Sequence, residues 1–91
     1  MKFEWDEQKR KRNLRKHGID FVGCEAIFAG TVKTMIDNRA DYGEDRFVTF
    51  GVLDNRVVAV VHTETADTIR VISIRKAKKH EQTLFFKGIQ D

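Results

Sequence analysis

Residues 47–62 run Phe47-Val48-Thr49-Phe50-Gly51-Val52-Leu53-Asp54-Asn55-Arg56-Val57-Val58-Ala59-Val60-Val61-His62. β-branched and aromatic residues flank a short polar break, and such residues favour extended, half-buried backbone. Asp54-Asn55 is a two-residue turn candidate, although its second position lacks the usual glycine. The first arm predicts a strand over 47–53. The second, 57–62, is apolar on both faces, which predicts a central strand covered on both sides. A turn this short pairs the two arms antiparallel.

Working outward, a polar turn around Ala66-Asp67 leads to a strand over 69–74. The basic segment Arg75-Lys76-Ala77-Lys78-Lys79-His80-Glu81 then runs into a final helix through Phe85 and Phe86. On the other side, a polar loop spans 37–45 with Gly43, and residues 32–36 alternate loosely as a strand. Before it, Phe21, Cys24 and Phe28 fall at helical spacing, with Asp20 as cap, Gly23 as a weak point and Gly30 as stop. A first helix is predicted over 7–17. Asp6 caps it, Glu7 and Arg15-Lys16-His17 suit its dipole, and Gly18 ends it. Leu14 is its only aliphatic anchor, so this helix is expected at the surface, packed through Leu14 and the stems of long side chains. Phe3-Glu4-Trp5 is a short strand candidate. The architecture implied is α+β: N-terminal helices packed on an antiparallel meander of about four strands, with a C-terminal helix.

A length of 91 residues suits one domain, and 41% apolar with 34% charged residues excludes disorder. The single cysteine, Cys24, excludes an intrachain disulfide and reads as a small buried apolar residue rather than a nucleophile. His17, His62 and His80 are scattered, without zinc-ligand spacing. Neither a signal-peptide core nor a membrane-spanning apolar run is seen, so a soluble cytoplasmic protein is expected. The net charge of +3 suits nucleic acid or an acidic protein as partner. Much of it lies in Lys9, Arg10, Lys11, Arg12, Arg15 and Lys16, a run without an acidic residue and hence without internal i,i+4 pairing. Lys76, Lys78 and Lys79 can extend it. No aromatic residue interleaves with either cluster, which argues for phosphate-led binding rather than base stacking. Trp5 and Phe3 read as core. Phe85 and Phe86 read as core or as an apolar partner surface.

Trp5-Asp6, Lys9, Asn13, Lys16-His17-Gly18 and Phe21 resemble the opening signature of the BrnT toxins. Gly43-Glu44-Asp45-Arg46-Phe47 and Gly51 continue the resemblance. Val61-His62-Thr63-Glu64, Arg70-Val71-Ile72-Ser73-Ile74-Arg75-Lys76-Ala77 and Glu81 complete it. The chain departs at Thr65, where members often carry a basic residue, and at Gln82 and Phe85-Phe86, where they often carry an arginine and then a tyrosine. The resemblance implies a RelE-like fold and a ribonuclease that blocks translation without metal or cofactor. It also implies a ribbon-helix-helix antitoxin of the BrnA kind, in a complex expected to be heterotetrameric, with DNA contacted only through the antitoxin.

Metal-free RNA cleavage uses the 2′-hydroxyl against the adjacent phosphate, so the protein must move protons and stabilise phosphate charge. Arg70 and Arg75 are the candidate phosphate clamps, the latter on the strength of the resemblance. Five residues apart on a regular strand, they would face opposite ways, so a bulge or an early strand end is needed to aim both at one substrate. His62 and Glu64, two apart and so on one strand face, are the candidate base pair. The alternative is a satisfied strand-end histidine beside a turn residue. Lys9, Arg12, Lys16, His17, Lys76 and Lys79 are the candidate RNA contacts. His17 reads either as a helix-terminal cation or as a general acid, and Asn13 as structural. The competing reading is a non-enzymatic basic module that binds nucleic acid or protein. Convergence of Arg70, Arg75, His62 and Glu64 on one concave surface is what would separate the two.

Overall fold

The computed structural model describes residues 1–38 and 43–90. In chain order these form β1 (Lys2–Trp5), α1 (Glu7–His17), α2 (Glu25–Ala29), β2 (Lys33–Asp37), β3 (Arg46–Leu53), β4 (Arg56–Glu64), β5 (Thr68–Lys76) and α3 (Lys79–Gln90). Asp54 and Asn55 both take positive φ, 51° and 64°, the backbone of a primed turn that matches strand twist. β3 and β4 accordingly pair antiparallel from Leu53↔Arg56 to Phe47↔His62. Part of the loop expected over 37–45, residues 39–42, lies outside the described residues.

Among the described residues, the sheet has five strands in the order β1-β5-β4-β3-β2. The expected meander of β2 to β5 is present. To it β1 adds a fifth strand, parallel to β5, from Lys2↔Thr68 to Trp5↔Val71. The α+β class holds, and the sheet is mixed rather than purely antiparallel.

β4 is covered on both sides, and its alternation sorts the molecule into two cores. Val58 and Val60 face Ile19, Phe21, Cys24 and Ile27, together with Ile69, Val71 and Ile74 of β5. Val57 and Ala59 face Phe50, Ala77 and Phe85 beneath α3. Phe85 is buried, whereas its neighbour Phe86 is 49% exposed. Cys24 is fully buried, and desolvation pushes its thiol up to about 11, which removes it as a nucleophile at neutral pH.

The second helix is shorter than its spacing suggests. Asp20 accepts a hydrogen bond from the Val22 N–H at 3.0 Å, and Gly23 takes φ 94°, so residues 20–24 form turns before α2 begins. Phe21 and Cys24 are buried from those turns rather than from a helix face. The core is tight where α2 crosses β3. A Cβ on Gly51 would lie 2.7 Å from Ile27 Cγ2 and 3.3 Å from Val32 Cγ1. Gly51→Ala is therefore expected to destabilise the fold by about 1–3 kcal/mol through overpacking, read as a lower urea midpoint.

α1 is not held by Leu14, which is 41% exposed. Its anchor is Asn13, 5% exposed. β1 ends opposite Val71, leaving the β5 backbone beyond it without that neighbour. The Asn13 side chain takes the neighbour's place. Its Nδ2 donates to the Ile74 carbonyl at 2.9 Å, and its Oδ1 accepts from the Ile74 N–H at 3.0 Å. Nδ2 also donates to the Ile19 carbonyl at 2.9 Å.

Candidate functional site: a basic groove between helix α1 and strand β5

The β4–β5 ladder changes register. Val61 pairs with Ser73, but His62 pairs with Val71, which leaves Ile72 as an extra residue in β5. This bulge resolves the facing problem of the two arginines. Arg70 pairs with Thr63 and Arg75 with Ala59, positions of the same parity on β4. Both arginines therefore share one face of the sheet, the face that α3 partly covers.

The bulge also floors a groove. Lys9, Arg12, Asn13, Lys16 and His17 of α1 line it with Ile72 and Ser73, enclosing about 260 Å³. The helix is fixed there at three points. Asp6 Oδ1 accepts from the N–H groups of Gln8 and Lys9 at 2.8 and 3.1 Å. Asn13 holds the middle to Ile74. Gly18, at φ 69°, donates its N–H to the Leu14 carbonyl and ends the helix just after His17. The cations of α1 are thus divided. Arg10 is neutralised by Glu7 and by Asp20, the latter at 3.2 Å. Lys9, Arg12 and Lys16 remain to the groove.

Arg75 does not line this groove, but its charge, with that of Lys16, reaches His17 and depresses it. Burial contributes most to that depression, so His17 is held in its neutral form more than an exposed histidine would be. Arg75 itself is engaged. Its Nη1 and Nη2 donate to Glu81 Oε1 and Oε2 at 2.7 and 2.9 Å, a bidentate fork. Glu81 Oε1 also accepts from the Lys78 N–H at 2.7 Å, capping the start of α3. The Arg75 guanidinium is the main reason the Glu81 carboxyl is held at about 2. The pair borders a second hollow, of about 170 Å³, with Asp37, Val48 and Phe50. Arg70 is more exposed and lies 3.9 Å from Glu4.

His62 and Glu64 do not join the arginines. His62 follows Val58 and Val60 onto the opposite sheet face and is fully buried. Phe28 meets its ring edge-on at 5.4 Å, and Phe47 stacks on it at 5.9 Å. Its Nε2 shares a 2.7 Å hydrogen bond with Thr49 Oγ1, which in turn bonds Thr34 Oγ1 at 2.8 Å. Burial lowers its pKa, with Glu64, 3.6 Å from Nδ1, acting in the opposite sense. A histidine sealed beneath two aromatic rings cannot reach a polymer substrate in this conformation. The four residues therefore do not converge on one surface: Arg70 and Arg75 share one sheet face, while His62 is buried on the other. Of the candidate RNA contacts, Lys9, Arg12, Lys16 and His17 share the groove. Lys76 and Lys79 are exposed but do not line it, and Lys76 pairs with Val58 on the other sheet face.

The model of the ribonuclease toxin BrnT, of type II toxin–antitoxin systems, matches residues 5–81. The chain belongs to the BrnT family. The match begins at Trp5 and ends at Glu81, so it takes in α1, the bulged β5 and the Arg75–Glu81 fork. BrnT membership implies a ribonuclease toxin and a protein antitoxin as partner. Curated proteins yield no match to the chain.

Proposed function

We propose that this chain is an endoribonuclease toxin that cleaves RNA by attack of a 2′-hydroxyl on the neighbouring phosphate, without a metal ion, in the cytoplasm. Translation stops because RNA is cut, and a ribbon-helix-helix antitoxin restores it by binding the toxin in a heterotetrameric complex. The observation that carries the reading is the groove: three α1 cations and His17 above the β5 bulge. Cationic side chains arrayed on one wall neutralise a phosphodiester and the extra charge of its five-coordinate transition state. Arg70 and Arg75 stand five positions apart along the same sheet face, roughly 15 Å by strand rise, room for a strand rather than a mononucleotide. The Glu81 fork uses two of the five N–H donors of Arg75 and leaves others for phosphate.

The test is cleavage of a synthetic RNA by purified protein in EDTA, with product ends identified. A 2′,3′-cyclic phosphate and a 5′-hydroxyl are expected, since a water-derived 5′-phosphate would need a different nucleophile. The triple variant Lys9→Gln, Arg12→Gln, Lys16→Gln should bind RNA more weakly and reduce the salt slope of log K by roughly 2 if each cation meets one phosphate. A folded wild-type chain that binds RNA yet leaves it intact would make it a binding module instead.

A further inference from the structure

We infer that His17 is the general base of RNA cleavage, the group that takes the proton from the attacking 2′-hydroxyl. The inference rests on the ribonuclease reading and assigns the residue within it. Geometry carries the assignment. Of the three histidines, His62 is buried on the opposite sheet face and His80 is exposed near the start of α3. His17 alone lines the groove. Its position is fixed rather than mobile, because Asn13 sits one turn before it and the Gly18 cap directly after. Yet no hydrogen bond to its ring is found among the described residues, so both nitrogens are uncommitted. A structural histidine at a helix end would be expected to bond the last carbonyls or a carboxylate. This one stands half-buried in the groove among the α1 cations instead.

The charged groups around it are unequal in sign. Lys9, Arg12 and Lys16 approach from α1 and Arg75 from β5, while Glu81 of α3 is tied to Arg75. This surrounding disfavours the imidazolium and leaves a neutral ring with a free lone pair at physiological pH. In the step itself the ring nitrogen accepts the 2′-hydroxyl proton as O2′ bonds to phosphorus. The P–O5′ bond then breaks with its electron pair on O5′, which collects a proton from water. The products are a cyclic phosphate, a 5′-hydroxyl and a protonated His17 that returns its proton to solvent. Lys16 and Arg75 hold the phosphate charge and carry no proton in the step.

Single-turnover cleavage of one synthetic RNA by wild type and His17→Gln, measured from pH 4.5 to 9, tests the assignment. The wild-type rate should climb as His17 loses its proton, with a midpoint below the ordinary histidine value of 6.5, and then level off. His17→Gln should remain folded, lose roughly 100-fold or more in rate, and lose the acidic limb. An NMR titration of the His17 ring in the wild type needs no variant, and its midpoint should coincide with that of the kinetic limb at low substrate. A folded His17→Gln that cleaves at the wild-type rate, an unchanged acidic limb, or a mismatch between the two midpoints overturns the assignment and leaves the ribonuclease reading standing. A wild-type chain that produces no cleavage overturns both.

Discussion

Replacing Asn13 by alanine should destabilise the fold by about 3 kcal/mol, more than removal of any exposed aliphatic side chain on α1. The change deletes three hydrogen bonds at once and leaves the Ile74 N–H and the Ile74 and Ile19 carbonyls buried without that partner. An orphaned buried polar group carries its full desolvation penalty, which exceeds the net worth of the bond itself. Asn13→Asp sharpens the test. The new carboxylate can still accept from the Ile74 N–H, but it sets negative oxygen against two carbonyls where Nδ2 once donated. It should be at least as damaging as alanine despite its matching shape. Leu14→Ala, at a side chain 41% exposed, should cost about 1 kcal/mol or less. Urea unfolding of the three variants decides the matter, and a Leu14→Ala loss larger than that of Asn13→Ala would refute the edge-anchor account.

The second large effect belongs to the Arg75–Glu81 fork. Glu81 is held at about 2 against an ordinary 4.5, with its side chain only 13% exposed. The unfolded chain therefore takes up a proton here before the folded chain does. The fork's stabilisation is complete above about pH 4.5 and drains away as pH falls toward 2. Its size is on the order of 3 kcal/mol. Arg75→Ala should remove that contribution at neutral pH, loosen α3, and lose RNA cleavage as well. Glu81→Gln separates the two roles, since it weakens the strut while leaving the guanidinium in place. The measurement is stability by urea at pH 7 and pH 3 for each chain. The wild type should lose more between these pH values than Arg75→Ala does, because only the wild type has the fork to lose. Equal losses would mean that the fork contributes nothing.

Local chemistry made much of the fold readable beforehand. Caps at Asp6 and Gly18, the Asp54-Asn55 turn and the doubly apolar strand around Val58-Val60 are short-range signals, and each lies where its residues suggest. The parallel pairing of β1 was not legible, because a four-residue strand carries no mark of its partner. Asn13 read as structural and is so, but its partners were not legible, since one polar residue inside a charged helix adds nothing to an apolar periodicity. The basic groove was half visible. Its cations were evident from composition, but their division between groove and ion pairs depends on Asp20, ten residues beyond Arg10. His62 misled for a related reason: a histidine ending an apolar strand looks accessible until Phe28 of another element closes over it.

Ile72 has a consequence for how this chain tolerates change. In a regular strand, identity matters position by position and length matters little at the ends. Here one supernumerary residue lets Arg70 and Arg75, an odd number of positions apart, share a face. Removing Ile72 would alter no charge and would leave the arginines four positions apart on a regular strand, still on one face, yet it would erase the bulge that floors the groove. The strand is therefore constrained in count as much as in composition. A substitution at residue 72 changes the lining of a groove, whereas a one-residue deletion there takes away the extra residue that forms its floor.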